Sequence, residues 1–369
     1  MRGIISIVCV NRNPNKKIVN SNPRNDMIVF SYHEKYNEYD LGQDHPLIGD
    51  KPRKTLDFFK EKKLTDELDI FKPAEAKEED LLKVHTKEFI EKIKQLSREG
   101  GYLSIDTPAP KGIYDVARLA VGGSILSGKK LFEGYNIAVN PLGGFHHAGV
   151  NHSSGFCFFN DIAIAIEVLK EKYDIKRIAI IDLDVHHANG TQEIFYKRND
   201  VLLISFHQDG RTLYPGTGFV NETGEKKGEG YTINMPFPRG AGDESYRYAF
   251  LEIIPKIVKQ FAPQLIIYQS GVDTHHSDPL ANILLTYPTY YFFAEEIRKL
   301  SEETCKKLLV LFGGGYNSRA SIYAYYNIMC GLMKKNDIIN EKTVRDVRLD
   351  ETKKTVNELK QTMSCYWRI

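Results

Sequence analysis

Short runs of apolar, β-branched and aromatic residues recur along the chain at 27–32, 136–139, 178–183, 201–206, 231–235, 265–269 and 308–312. Runs of strand length that stay apolar at nearly every position mark strands covered on both faces. Between them lie longer stretches with helical spacing. Residues 114–132 carry Val116, Leu119, Ala120 and Leu131 with polar residues opposite, and 161–173 carry Ile162, Ile164, Ala165, Ile166, Val168 and Leu169. The stretches 245–261 and 290–307 read the same way. Strands alternating with helices predict an α/β fold whose central sheet is mostly parallel and has helices on both faces. In such sheets ligands bind beyond the carboxyl ends of the strands.

No Pro/Gly-rich linker divides the chain, so the pattern predicts one domain over 27–335. Residues 1–26 are rich in Asn, Lys and Arg and read as an extension, with the apolar run 4–10 an edge strand. Residues 336–369 are charged, with Val344, Val347, Val356, Leu359 and Met363 spaced for a peripheral helix packed on the domain.

Composition narrows the function. Apolar residues make up 42% of 369 residues, enough for a large core, and 50 basic against 48 acidic residues leave a net charge of +2. That balance argues against a partner recognised by charge alone, such as nucleic acid. No apolar run approaches the roughly 20 residues that span a bilayer. The five cysteines are scattered with no Cys-x-x-Cys pair, which fits a reducing cytoplasm.

The chemistry sits just after the apolar runs. After 178–181 come Asp182, Asp184 and His186, each two apart, so an extended segment places them on one face. Two carboxylates crowded together repel unless a cation lies between them, and Asp and His both ligate Zn²⁺. A single such run is as readily a solvated acidic turn. Asp273, past the 265–269 run, offers a third ligand, leaving a position open for water. After 136–139, Gly143-Gly144 precede His146 and His147, an acid/base pair or a buried hydrogen-bonded one. After 308–312, Gly313, Gly314 and Gly315 allow close backbone approach, and Tyr316 offers a hydroxyl to a developing oxyanion. No Gly-Lys-Ser/Thr follows, so this is not a phosphate loop.

Taken in order, Gly144-Phe145-His146-His147-Ala148, the run Gly155 to Asp161, the run Asp182 to His187 and Gly313-Gly314-Gly315-Tyr316-Asn317 resemble the zinc-dependent histone deacetylase superfamily, from about Tyr32 to about Leu332. The run Tyr39 to Leu47 and Pro52-Arg53 is similar to its acetoin-utilisation deacetylase branch. The resemblance implies the single-domain arginase/deacetylase fold and hydrolysis of acetyl from lysine side chains. It implies Asp184, His186 and Asp273 as metal ligands for Zn²⁺ or Fe²⁺, and His146 and His147 as catalytic histidines. Asp182 would hydrogen-bond the first histidine, and Asn189 stands where some members partner the second with Asp. Tyr316 would polarise the acetyl carbonyl. Gly155, Phe156, Gly314 and Tyr214 would line the acyl-lysine tunnel, with Asp106 at its rim and Arg53 along an inner acetate channel. A K⁺ ion would lie near Asp182, Ser205 and Phe206. Leu280 replaces the gatekeeper Glu of acetylpolyamine deacetylases, which favours acetylated lysine in a protein or peptide over a small acetylated amine. His275 stands where arginases place a ligand for a second metal, but Ala188 breaks their Asp-x-His-x-Asp run, so one catalytic metal is expected and His275 reads as a loop histidine. A non-catalytic acyl-lysine binder is the remaining alternative, and Tyr316 speaks against it. Oligomeric state is not legible.

Overall fold

A computed structural model describes residues 27–47 and 49–369. The strand expected at 4–10 lies outside the described residues. Among the described residues there are ten strands and ten α-helices: β1 (Ile28–Ser31), α1 (Lys51–Glu61), β2 (Leu68–Phe71), α2 (Glu78–Leu81), α3 (Lys87–Glu99), β3 (Tyr102–Ser104), β4 (Thr107–Pro108), α4 (Ile113–Phe132), β5 (Ile137–Asn140), α5 (Asp161–Tyr173), β6 (Ile178–Asp182), α6 (Asn189–Phe195), β7 (Val201–Gln208), β8 (Thr232–Phe237), α7 (Asp243–Phe261), β9 (Leu265–Gln269), α8 (Tyr287–Glu303), β10 (Leu308–Leu311), α9 (Ser318–Met333) and α10 (Leu349–Met363).

Eight strands form one parallel sheet in the order β2-β1-β5-β10-β9-β6-β7-β8, while β3 and β4 make a separate hairpin. Side chains alternate between two cores, as period-two strands require. Phe30, Val139, Ile181, Ile204, Tyr268 and Val310 point to one side, where α1 and α7 to α10 pack. Val29, Ala138, Ile180, Leu203, Ile267 and Leu309 point to the other, under α3, α4 and α5. The seven strands expected within the described residues are present, and the sheet is the expected architecture with helices on both faces. The edge strand β2 was not expected: its burial is broken along Leu68–Phe71, with Ile70 exposed, so it lacks the continuous apolar run of its neighbours.

The order of the sheet assembles the site. The chain leaves β5, skips two positions to lay down β6, β7 and β8 outward, and then returns to fill the gap with β9 and β10. The carboxyl ends of β5, β10, β9 and β6 are therefore neighbours, although they lie far apart in sequence. Each is followed by one of the four clusters.

The C-terminal segment differs in detail from expectation. Residues 336–348 carry no regular element, and the helix begins only at Leu349. Val356, Leu359 and Met363 are buried on its inner face against the sheet's first core, whereas Val347 is exposed.

Candidate metal centre and active site

The backbone past β6 brings Asp184 and His186 round to meet Asp273 from the loop after β9. His186 Nδ1 lies 3.1 Å from both Asp184 Oδ1 and Asp273 Oδ2. The three groups are buried, and their ligand atoms lie within 4.8 Å of one another. Backbone and amide donors orient the outer oxygens: Gly314 N–H and Gln269 Nε2 donate to Asp184 Oδ2 at 2.9 and 3.0 Å, and Val185 N–H donates to Asp273 Oδ1 at 2.9 Å. Gly314 must be glycine here, since a Cβ would stand 2.2 Å from Asp273 Oδ2.

The donor set fits a divalent cation. Ligands about 2.0–2.1 Å from a tetrahedral ion stand about 3.3 Å apart, close to the spacing found. Without an ion the trio is electrostatically awkward. Burial and the neighbouring Asp184 charge push Asp273 up to about 7. Burial works against a charged His186, yet the two carboxylates raise it to about 10. A divalent ion replaces that shared proton and removes the repulsion.

Beside the trio stand the paired histidines. His146 Nδ1 donates to Asp182 Oδ2 at 2.9 Å, and His147 Nδ1 donates to Asn189 Oδ1 at 2.6 Å. Their Nε2 atoms are 3.1 Å apart. The pair is electrostatically unequal. Burial lowers both, but Asp182 and Asp184 bring His146 above the ordinary imidazole value. His147 faces His146 and His186 and has only an amide behind it, so it stays well below that value. The turn carrying them is held from α5: Asp161 Oδ1 accepts from Phe145 N–H at 2.8 Å and Oδ2 from Gly144 N–H at 3.1 Å.

Tyr316 is set by Asp278, whose Oδ2 accepts its backbone N–H at 2.8 Å. Burial, with the negative Asp273 and Asp184 nearby, pushes the Tyr316 phenol well up, so it keeps its proton. Its ring stands edge-on to Phe156, with centroids 5.5 Å apart. Phe156, Gly155, Tyr214, Leu213, Leu280 and Asp106 surround a mouth that leads down to His147, His186 and Tyr316. The Tyr214 ring is 5.2 Å from that of His147. Gly155 has φ +57°, and a Cβ there would meet His147 Cδ2 at 2.2 Å. Asp106 sits at the mouth, where its Oδ2 accepts from Gly155 N–H at 2.9 Å and its Oδ1 from Ser104 and Thr107 hydroxyls at 2.6 and 2.9 Å. It fastens the Gly155 turn to the β3–β4 hairpin.

Beyond the histidines lies a narrow inner cavity, bounded by Tyr39, Leu142, Phe312 and Lys51. Arg53, expected there, is not. Its side chain is 54% exposed and its guanidinium reaches Asp50 at 3.5 Å. The cation in the cavity is Lys51, whose Nζ donates to Gly313 O at 3.1 Å and Gly315 O at 3.3 Å. Residues two apart on a helix point about 200° apart, so α1 cannot present both inward. Burial lowers Lys51 to about 8, opposed by Asp273 and Asp184. The sequence reading also missed Asp278, Gln269 and Asp161 as supporting groups. Each stands at or beside a strand or helix end in a motif already singled out, which was the available signal.

His275 turns away from the centre: its Nδ1 meets Ser277 Oγ at 2.9 Å and its Nε2 meets Glu341 Oε1 at 2.9 Å. It contributes no ligand for a second ion beside the first.

The chain matches the Histone deacetylase domain over residues 45–332. It is 34% identical over 356 residues to "Probable deacetylase" of Archaeoglobus fulgidus, spanning 91% of this chain and 98% of that one. It is 35% identical to "Acetoin utilization protein AcuC" of Bacillus subtilis, over 78% of this chain and 77% of the relative. "Histone deacetylase-like amidohydrolase" of Pseudomonas aeruginosa is 37% identical over 73% and 70% of the two chains. Among solved structures, the one titled "Crystal Structure of HDA15 HD domain" superposes with a TM-score of 0.85 at 29% identity, covering 93% of this chain and 96% of that one. With the shared parallel sheet and the clusters at its four central strand ends, these matches establish that the chain belongs to the histone deacetylase family of hydrolases, in its AcuC-like branch.

Proposed function

We propose that this chain removes acetyl groups from lysine side chains, with one divalent cation, Zn²⁺ or Fe²⁺, held by Asp184, His186 and Asp273. The observation that carries this reading is the meeting of that trio with His147 and Tyr316 at the foot of one apolar mouth. A cation bound there supplies Lewis-acid polarisation of the attacking water and of the amide carbonyl. His147, held neutral, takes a proton from that water through Nε2 while Asn189 fixes its Nδ1–H. The same proton passes to the lysine nitrogen as the C–N bond breaks. His146, drawn toward the charged form by Asp182, faces the site with a positive field. The Tyr316 hydroxyl donates to the carbonyl oxygen as charge gathers on it.

Leu280, Leu213, Phe156 and Tyr214 at the mouth favour an uncharged acyl-lysine stem, whereas a cationic polyamine would be desolvated there with only Asp106 as counter-charge, its oxygens already accepting from Gly155 N–H and the Ser104 and Thr107 hydroxyls. Released acetate can enter the inner cavity, where the Lys51 ammonium meets its carboxylate. Asp182 and Ser205 lie side by side on paired strands, in keeping with a K⁺ ion near them. Cys157, Cys305, Cys330 and Cys365 are free thiols, which supports a reducing compartment such as the cytoplasm.

The test is turnover of an acetyl-lysine peptide by protein reconstituted with Zn²⁺ or Fe²⁺, set against acetylspermidine. The peptide should be the better substrate. Tyr316→Phe should lower kcat about 10²–10³-fold with KM little changed. Preference for the polyamine would redirect the substrate reading. Wild-type rates in both Tyr316→Phe and His147→Ala would remove the mechanism.

A further inference from the structure

The loop after β9 has two sides. Asp273 and Asp278 face the active site, whereas His275 and His276 face the opposite way, toward the segment between α9 and α10. Glu341 reaches back from that segment to meet both. His275 Nε2 is 2.9 Å from Glu341 Oε1, and His276 Nε2 is 3.1 Å from Glu341 Oε2. The ligand atoms of the three residues lie within 4.8 Å of one another. The two imidazoles lie 4.4 Å apart and 34° from parallel, so both Nε2 atoms converge on the carboxylate.

Two imidazoles and one carboxylate form a donor set for a borderline cation, not for Mg²⁺ or Ca²⁺. Contacts of 2.9–3.1 Å are near the spacing of about 3.3 Å between ligands of a tetrahedral zinc. The surroundings are those of a built site. The His275 side chain is 2% exposed and its ring stacks on Tyr287 at 4.5 Å. Ser277 holds the ring from its other edge, with Oγ 2.9 Å from His275 Nδ1 and its backbone N–H donating to Nδ1 at 3.3 Å. Tyr287 N–H donates to Glu341 Oε1 at 2.7 Å and orients the carboxylate. Glu341 and His276 are 18% and 32% exposed, so an ion can enter from solvent and keep a position for water.

We propose that His275, His276 and Glu341 form a second divalent-cation site, structural in role and suited to Zn²⁺, that fastens residues 336–348 to the loop bearing Asp273. The fastening reaches the reaction through two contacts. Asn317 Nδ2 donates to Ser277 O and Oγ at 3.1 Å each, and Asp278 receives Tyr316 N–H. The proposal counts ions and does not depend on what the chain hydrolyses.

The experiment is Zn²⁺ stoichiometry of the full chain by elemental analysis after dialysis, with Co²⁺ titration followed by visible absorption. Wild type should hold two equivalents. His276→Ala and Glu341→Gln should each hold one, and Asp184→Asn should hold one and keep the second site's tetrahedral Co²⁺ band. Added Zn²⁺ should raise the Tm of Asp184→Asn but not that of Asp184→Asn combined with His276→Ala. Equal stoichiometry in wild type, His276→Ala and Glu341→Gln overturns the proposal and leaves a hydrogen-bonded clamp alone. Equal stoichiometry in wild type and Asp184→Asn, with loss in His276→Ala, overturns the active-site metal instead.

Discussion

Asn189 decides how the two histidines divide the work. An amide oxygen fixes the tautomer of His147 at 2.6 Å but adds no charge to stabilise an imidazolium. Asn189→Asp would supply that charge, raise the His147 pKa, and move the acid limb of the kcat/KM profile to higher pH. A pH–rate profile of the variant checks this, and an unmoved acid limb would take His147 out of the base role. Lys51 gives a second residue-scale expectation. A hydrogen bond to a charged group is worth about 1.5–3 kcal/mol, so Lys51→Met should weaken inhibition by acetate at least tenfold. Initial rates across an acetate series measure it. This residue also shows where reading from sequence stops. The trio, the paired histidines and Tyr316 were legible because each follows an apolar run inside a dense motif. The inner cation was not, because Lys51 and Arg53 both suit a motif position and only the rotation of α1 decides which one points inward.

The strands were legible in proportion to their burial, whereas α9 was not expected although most of its residues are buried. Strands such as β6 and β9, buried at every position, announce themselves as apolar runs, and α5 lies at its expected bounds. The helix α8 was expected to begin later and run further than Tyr287–Glu303, since its Pro at the start reads as a break until the first turn is seen to accept it. The edge strand β2 and the helices α1 and α3 escaped notice because their polar faces are wide and their sequences crowded with charge. Helix α10 was legible in its inner face only. Leu359 is fully buried there, so Leu359→Ala should cost about 2–5 kcal/mol. Val347→Ala, at an exposed position before the helix, should stay within about 0.5 kcal/mol. Urea unfolding of both variants separates docking of this helix from mere presence of the segment.

The molecule as a whole keeps several imidazoles neutral in its interior, and this sets its tolerance of acid. His85 is the clearest case, since it lies away from the metal centre. Its Nδ1–H donates to Gly149 O at 3.0 Å and its Nε2 accepts from Asn160 N–H at 3.0 Å, so a second proton would leave the Asn160 amide facing a donor. Burial lowers its pKa to about 4. The folded state therefore disfavours the charged form, while the unfolded chain takes up the proton near the usual value of about 6.5. This contribution is fully present above pH 6.5, falls by about 1.4 kcal/mol per pH unit as pH drops from 6.5 to 4, and levels off below that. Buried carboxylates such as Asp161, raised by desolvation, oppose this trend in the total, so the telling quantity is a difference between variants. His85→Gln can keep both hydrogen bonds without titrating. Its loss of stability relative to wild type should be largest near neutrality and shrink by about 1.4 kcal/mol per pH unit between 6.5 and 4. Urea unfolding of the two proteins across that range measures the gap, and a gap independent of pH would mean that His85 carries no neutral-form preference.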